Sequence, residues 1–202
     1  ASASAAPLPT TLAGTTMTLT DSRGAAHTVP LFYVSPVQVN FLVPAAVVPG
    51  DATVTLSRSD AIGFRGPVRI APVAPGLFAA NANGRGVAAA IALRVGAAGE
   101  QTSQLVFTCA ETCTPTPIDL GANSDQLYLL LFGTGIRGHT DSVSVTIGGL
   151  PAQVVYAGSQ NQFLGLDQVN VVVPPSLRGR GEVGIALAVE NLAANLVTVS
   201  IR

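Results

Sequence analysis

Residues 168–174 read QVNVVVP, and residues 38–44 read QVNFLVP. The echo extends outward in both directions. LFYVSP (31–36) stands before the first copy, where VVYAGS (154–159) stands before the second. Further upstream, MTLTDSRG (17–24) faces VTIGGLPA (145–152). Downstream, PGDATVTLSRSDAIGFRGPVRI (49–70) faces RGEVGIALAVENLAANLVTVSI (180–201). The order of segments is the same twice, which is the mark of one architecture used twice. The main difference between the copies is QNQFLGL (160–166), which separates the tyrosine of the second copy from its QVN.

Each copy reads as short strands. Val39, Phe41 and Val43 alternate with Asn40 and Leu42, which is strand period. Turn residues recur every 8–12 positions or so, the pattern of an all-β sandwich. Pro44 and Pro174 end their strands, because proline cannot donate to a ladder. GVAAAIALRVG (86–96) is rich in alanine, but NANGRG before it and GAAGE after it look like hairpin turns, so a strand is expected there. The predicted organisation is an N-terminal extension over 1–12, a first domain over 13–72 and a second over 73–202. Pro72 and Pro75 stiffen the joint. Residues 108–125 form a long loop or distorted hairpin that the first copy lacks. The two Gln-Val-Asn tripeptides are expected at equivalent strand positions.

One segment invites a different interpretation. LYLLLFGTGIRG (127–138) ends in G-x-G-x-x-G, the spacing of a dinucleotide-binding loop. That chemistry needs a helix starting inside the glycine loop and an acid about 20 residues further on. Here Val143, Val145 and Ile147 continue at strand period, and residues 150–155 contain no Asp or Glu. A strand-to-strand loop is expected instead, and no cofactor.

Composition narrows the partners. Charged residues make up 10% of the 202, against an ordinary share of about 25%. All basic residues are Arg, and net charge is −1. No basic stripe exists, so nucleic acid is not an expected partner. No apolar run approaches the roughly 18 residues of a membrane helix, so membrane insertion is not expected. The opening ASASAAP suits residues just after a signal-peptidase cut, or a flexible linker. Cys109 and Cys113, in C-x3-C spacing, suit a short disulfide across a loop tip in an exported chain. Zinc would need further ligands, and His27 and His139 sit in unrelated segments, so no metal is predicted.

The longer motifs resemble a known family. They are YVSPVQVNFLVP (33–44), APGLF (74–78), PIDLG (117–121), LFGTGIRG (131–138), VTIGGLPAQVVYAG (145–158), GLDQVNVVVP (165–174) and NLVTVSIR (195–202). Together they resemble a C-terminal module of large predicted surface proteins of Acidobacteria, of the Solibacter type. The resemblance covers nearly everything after about Thr10. It implies two tandem immunoglobulin-like β-sandwich domains of the transcription-factor and plexin type, and it brings no catalytic residues with it.

Nothing in the residues points to catalysis either. A G-x-S-x-G nucleophile motif is missing. His139, Asp141 and Ser142 are close in sequence, but a strand sends neighbours to opposite faces. Asp119 and Asp125 are expected to brace backbone amides, and a D-x-D-x-D calcium loop is absent. The repeated pairs Gln38/Asn40 and Gln168/Asn170 are expected to satisfy backbone groups at a sandwich rim; the other use of paired amides is sugar recognition.

The expected function is that of a non-catalytic structural subunit of an extracellular or cell-surface assembly. A filament is expected, in which residues 5–14 of one subunit run along a sheet edge of the next. Ala6, Pro7, Leu8, Pro9 and Leu12 are the candidate subunit contacts. The partners are then further copies of the chain, or other surface proteins. The alternative is a surface adhesion or ligand-binding module for carbohydrate or protein.

Overall fold

A computed structural model describes residues 1–4, 6–59 and 61–202. The chain forms two compact units, Ala1–Pro72 and Val73–Arg202. Both are all-β, with antiparallel strand ladders.

The first unit holds β1 (Thr11–Leu12), β2 (Thr15–Thr20), β3 (Ala26–Thr28), β4 (Leu31–Val34), β5 (Val39–Phe41), β6 (Gly50–Arg58) and β7 (Ala61–Ile70). One sheet has the order β1-β2-β6-β7, with β3 on β2; β4 and β5 form a separate two-stranded ladder. Along β2 burial alternates strictly, because period-2 side chains point to opposite faces. Met17 and Leu19 therefore join Val29, Leu31, Val34, Val47 and Ala52 in the core.

The second unit opens with β8 (Gly76–Leu77), β9 (Ala90–Val95), β10 (Gln101–Leu105), β11 (Phe107–Cys109), β12 (Cys113–Pro115) and β13 (Gln126–Thr134). It continues with β14 (Val143–Ile147), β15 (Leu150–Ala152), β16 (Val154–Ser159), β17 (Asp167–Val172), β18 (Gly181–Val189), β19 (Leu192–Ala193) and β20 (Val197–Ile201). One sheet has the order β10-β9-β13-β17-β16, and the other β15-β14-β18-β19 with β20 also on β18. Leu127, Leu129 and Leu131 of the first sheet share one core with Val145, Ile147, Ile185 and Leu187 of the second. Two sheets contributing inward faces to one core is the arrangement of a sandwich. The alanine-rich stretch forms strand β9, as its flanking turns suggest.

The repeat in sequence is a repeat in register. Leu31 faces Phe41, Tyr33 faces Asn40 and Val34 faces Val39, with an irregularity between Leu31 and Tyr33. In the second unit Val154 faces Val171, Tyr156 faces Asn170 and Ala157 faces Val169, with the same irregularity between Val154 and Tyr156. The two Gln-Val-Asn tripeptides thus occupy equivalent places. Leu42 N donates to Pro30 O, and Val172 N donates to Gln153 O at the corresponding place. Met17 faces Leu56 and Leu19 faces Val54, as Val145 faces Leu187 and Ile147 faces Ile185. Gly50 pairs with Ile70, as Gly181 pairs with Ile201.

Candidate functional site

The glycine loop after β13 is built from its own backbone outward. Gly135 has a positive φ of 71°, which suits a residue without Cβ. A Cβ there would stand 2.0 Å from Ala74 O, and one on Gly133 would stand 2.3 Å from Gly76 O. These glycines let the 74–77 segment lie directly against the chain: β8 pairs with Gly133 and Thr134, and Ala74 N donates to Gly135 O. Beyond the loop the chain enters strand β14, with no helix between.

The amides of this loop already hold a carboxylate. Asp167, buried at the start of β17, accepts Ile136 N–H at 2.7 Å and Arg137 N–H at 3.2 Å on one oxygen. Its other oxygen accepts Arg137 Nε–H, and the same guanidinium donates to Leu166 O at 2.6 Å. An aspartate of the chain stands where an anionic ligand would have to bind. The nest is satisfied internally, because buried backbone donors require partners.

The repeated amide pairs close on themselves. Gln38 Nε2 donates to Asn40 Oδ1 at 2.7 Å, and Gln168 Nε2 donates to Asn170 Oδ1 at 2.7 Å. The expectation that they satisfy backbone groups is therefore replaced by a side-chain pair along one strand face. This follows from period 2, which sets residues i and i+2 side by side. In the second unit the pair lines a shallow depression of ≈ 230 Å³ with Tyr156, Ser159, Gln160 and Asn161. The Tyr156 hydroxyl donates to Ser159 O.

Other sequence candidates have local partners. His139 contacts the backbone oxygens of Asp141 and Ala157, so its ring is committed to main chain rather than to Ser142. Asp119 accepts Gly121 N–H at 2.9 Å, and Asp125 accepts Ala122 N–H at 3.1 Å. The amide of Gly121, then the bond to Arg202, hold the Asp119 carboxyl below its ordinary range, against the opposing effect of burial. Among the described residues, no group of three or more His, Cys, Asp or Glu is placed to hold a metal ion.

Cys109 and Cys113 form a disulfide, with Cα atoms 3.9 Å apart. They face each other across the β11–β12 hairpin. Asn81 fixes the tip by accepting Cys113 N–H at 2.7 Å and donating to Cys113 O at 2.9 Å.

The N-terminal candidates lie on unit 1. Ser2 bridges Tyr33, Ala1 and Val34 exchange two backbone bonds, Ala3 N donates to Phe32 O, and Leu31 N donates to Pro9 O. Ala6 and Pro7 are exposed, Leu8 and Pro9 half-buried. Leu12 belongs to β1 and packs against the unit's core. Of residues 5–14, Ala5 lies outside the described residues.

Two anchors have no signal in sequence spacing. Asn195 accepts Leu77 N–H at 2.8 Å and donates to Leu77 O and Gly84 O at 2.9 and 2.8 Å. Asp21 gathers the amides of Arg23 and Ala25 in its own turn, the His27 imidazole, and the Val48 amide from the segment before β6.

The sequence matches no known family model, and comparison with curated proteins and with solved structures found none that matches it. No described helix is long and apolar enough to cross a membrane.

Proposed function

We propose that the chain is a non-catalytic structural subunit of an extracellular assembly, a filament joined through its N-terminal segment. The observation that carries this reading is the backbone ladder between Ala1–Ala3 and the outer edge of β4. The segment is held mainly by main-chain bonds, and its side chains are small. The same bonds can form between copies, because exchanging an identical element between protomers needs no new interface. An exchange that does not close on itself gives an open polymer. The low charge of the chain and its lack of Lys favour such pairing, since sheet edges are ordinarily protected by charge. The disulfide fits an oxidising, exported setting. On this reading each of the two units is an immunoglobulin-like sandwich, in keeping with the Acidobacterial surface modules that the motifs resemble. Further copies of the chain are the main partners, and other surface proteins are secondary ones.

Deleting residues 1–9 tests the reading by electron microscopy and sedimentation. The expected product is a folded monomer that no longer polymerises. Assembly equal to that of the full chain, or a full chain that stays monomeric at high concentration, overturns it. A second reading, a surface module that binds carbohydrate or protein, draws on the open polar depression beside Gln168 and Asn170.

A further inference from the structure

The register equivalence exposes a difference between the two units. In the second, β17 lies between β16 and β13. In the first, its counterpart β5 has β4 as its one strand partner among the described residues. Among the described residues, no strand of unit 1 fills the position that β13 fills in unit 2.

The side chains respond accordingly. Val171 and Val173 are 0% and 3% exposed, whereas their counterparts Phe41 and Val43 are 36% and 44% exposed. Val173 N donates to Leu127 O of β13. Among the described residues, the equivalent Val43 amide has no such acceptor. The edge from Ser35 to Pro44 carries no charged residue, so it lacks the usual protection of an exposed strand. The described residues between Ala1 and Thr10 do not supply the missing strand. They run to the far side of β4, and ASASAAPLPT lacks alternating large apolar residues.

We propose that β5 is an acceptor edge for a β-strand supplied from outside residues 1–202. The occupant is uncharged, about as long as β13, and carries leucine-sized residues at alternate positions. It lies antiparallel to β5, as β13 lies to β17. Its core-facing residues stand opposite Val39 and Phe41, as Leu131 and Leu129 stand opposite Val169 and Val171. Main-chain bonds supply affinity in such strand addition, and the alternate side chains supply selectivity. This edge is on the opposite side of the β4–β5 ladder from residues 1–3, so it does not depend on the N-terminal exchange.

The probe is a synthetic peptide with the sequence of Gln126–Thr134 and arginine tails for solubility, added to the full-length chain. Amides from Val39 to Val43 should then exchange about tenfold more slowly or better, with a higher melting point for unit 1. A scrambled peptide should do neither. Phe41→Lys and Val43→Lys alter exposed positions, so both variants should keep the parent's exchange rates in β2 and β6 while losing the peptide effect. A chain lacking residues 1–9 should bind the peptide as the full chain does, which separates this proposal from the filament reading. Protection at other sheet edges, an equal effect of the scrambled peptide, or undiminished binding by Phe41→Lys overturns the proposal. So does concentration-dependent protection of β5 without peptide, which would make a second copy the occupant.

Discussion

Asp21 and Asp167 are both buried carboxylates that hold a loop together through its amides. Asp21 accepts Arg23 N–H and Ala25 N–H at 2.9 and 3.0 Å, His27 Nε2–H at 2.9 Å and Val48 N–H at 3.3 Å. The bond from His27, followed by those amides, lowers its pKa from 3.8 to about 2, although burial works in the opposite direction. A carboxyl depressed in the folded state contributes stability above its unfolded pKa and loses it as pH falls through the folded one. Unit 1 should therefore weaken between about pH 4 and pH 2, seen as faster exchange of the amides in β2 and β3. Asp119 and Glu190 are also depressed, but both belong to the second unit, so the readout is taken from unit 1 alone. Asp21→Asn should flatten the dependence in that window. An unchanged acid response in the variant would remove Asp21 as its origin.

At the scale of elements, the disulfide and the repeated hairpins show two kinds of constraint. The Cys109–Cys113 bond closes a loop of a few residues, so its chain-entropy contribution is limited to about 2 kcal/mol. Asn81 bonds both backbone groups of Cys113 without help from the sulfurs. Reduction should therefore speed exchange at Thr108 and Thr114 while leaving β9 and β13 protected; loss of the whole unit on reduction would assign the bond a larger role. The hairpins were legible in sequence because register is fixed by alternation: Val39 and Phe41, like Val169 and Val171, must share a face. The strand character of β9 was legible from its flanking glycines. The destination of residues 1–9 was not, since small residues and prolines state no preferred edge. Nor was the pairing of Gln with Asn, because a polar i, i+2 pair satisfies itself as readily as it satisfies a backbone. The role of Asn195 lay out of reach for another reason: its partner Leu77 is 118 positions away, and no local pattern encodes such a contact.

Across the whole molecule, the two units share a strand plan but not the means to bury it. Among the described residues, seven buried apolar residues form the core of unit 1, against 27 in unit 2. The deficit has a structural source, because unit 2 has β8 to β13 and the described residues of 1–72 hold no equivalent of them. Buried apolar area is the main favourable term in folding, and a small domain buries a smaller fraction of its surface. Unit 1 should accordingly open first. Native-state amide exchange should give β2 and β6 an opening free energy at least about 3 kcal/mol below that of β13, β14 and β18, on the usual scale of stability per residue. Calorimetry should resolve the same order as two transitions, the earlier one tracking loss of structure around Met17 and Leu19. If all these strands exchange through a single opening of equal free energy, the units fold as one cooperative body, and the thin core of unit 1 has been compensated.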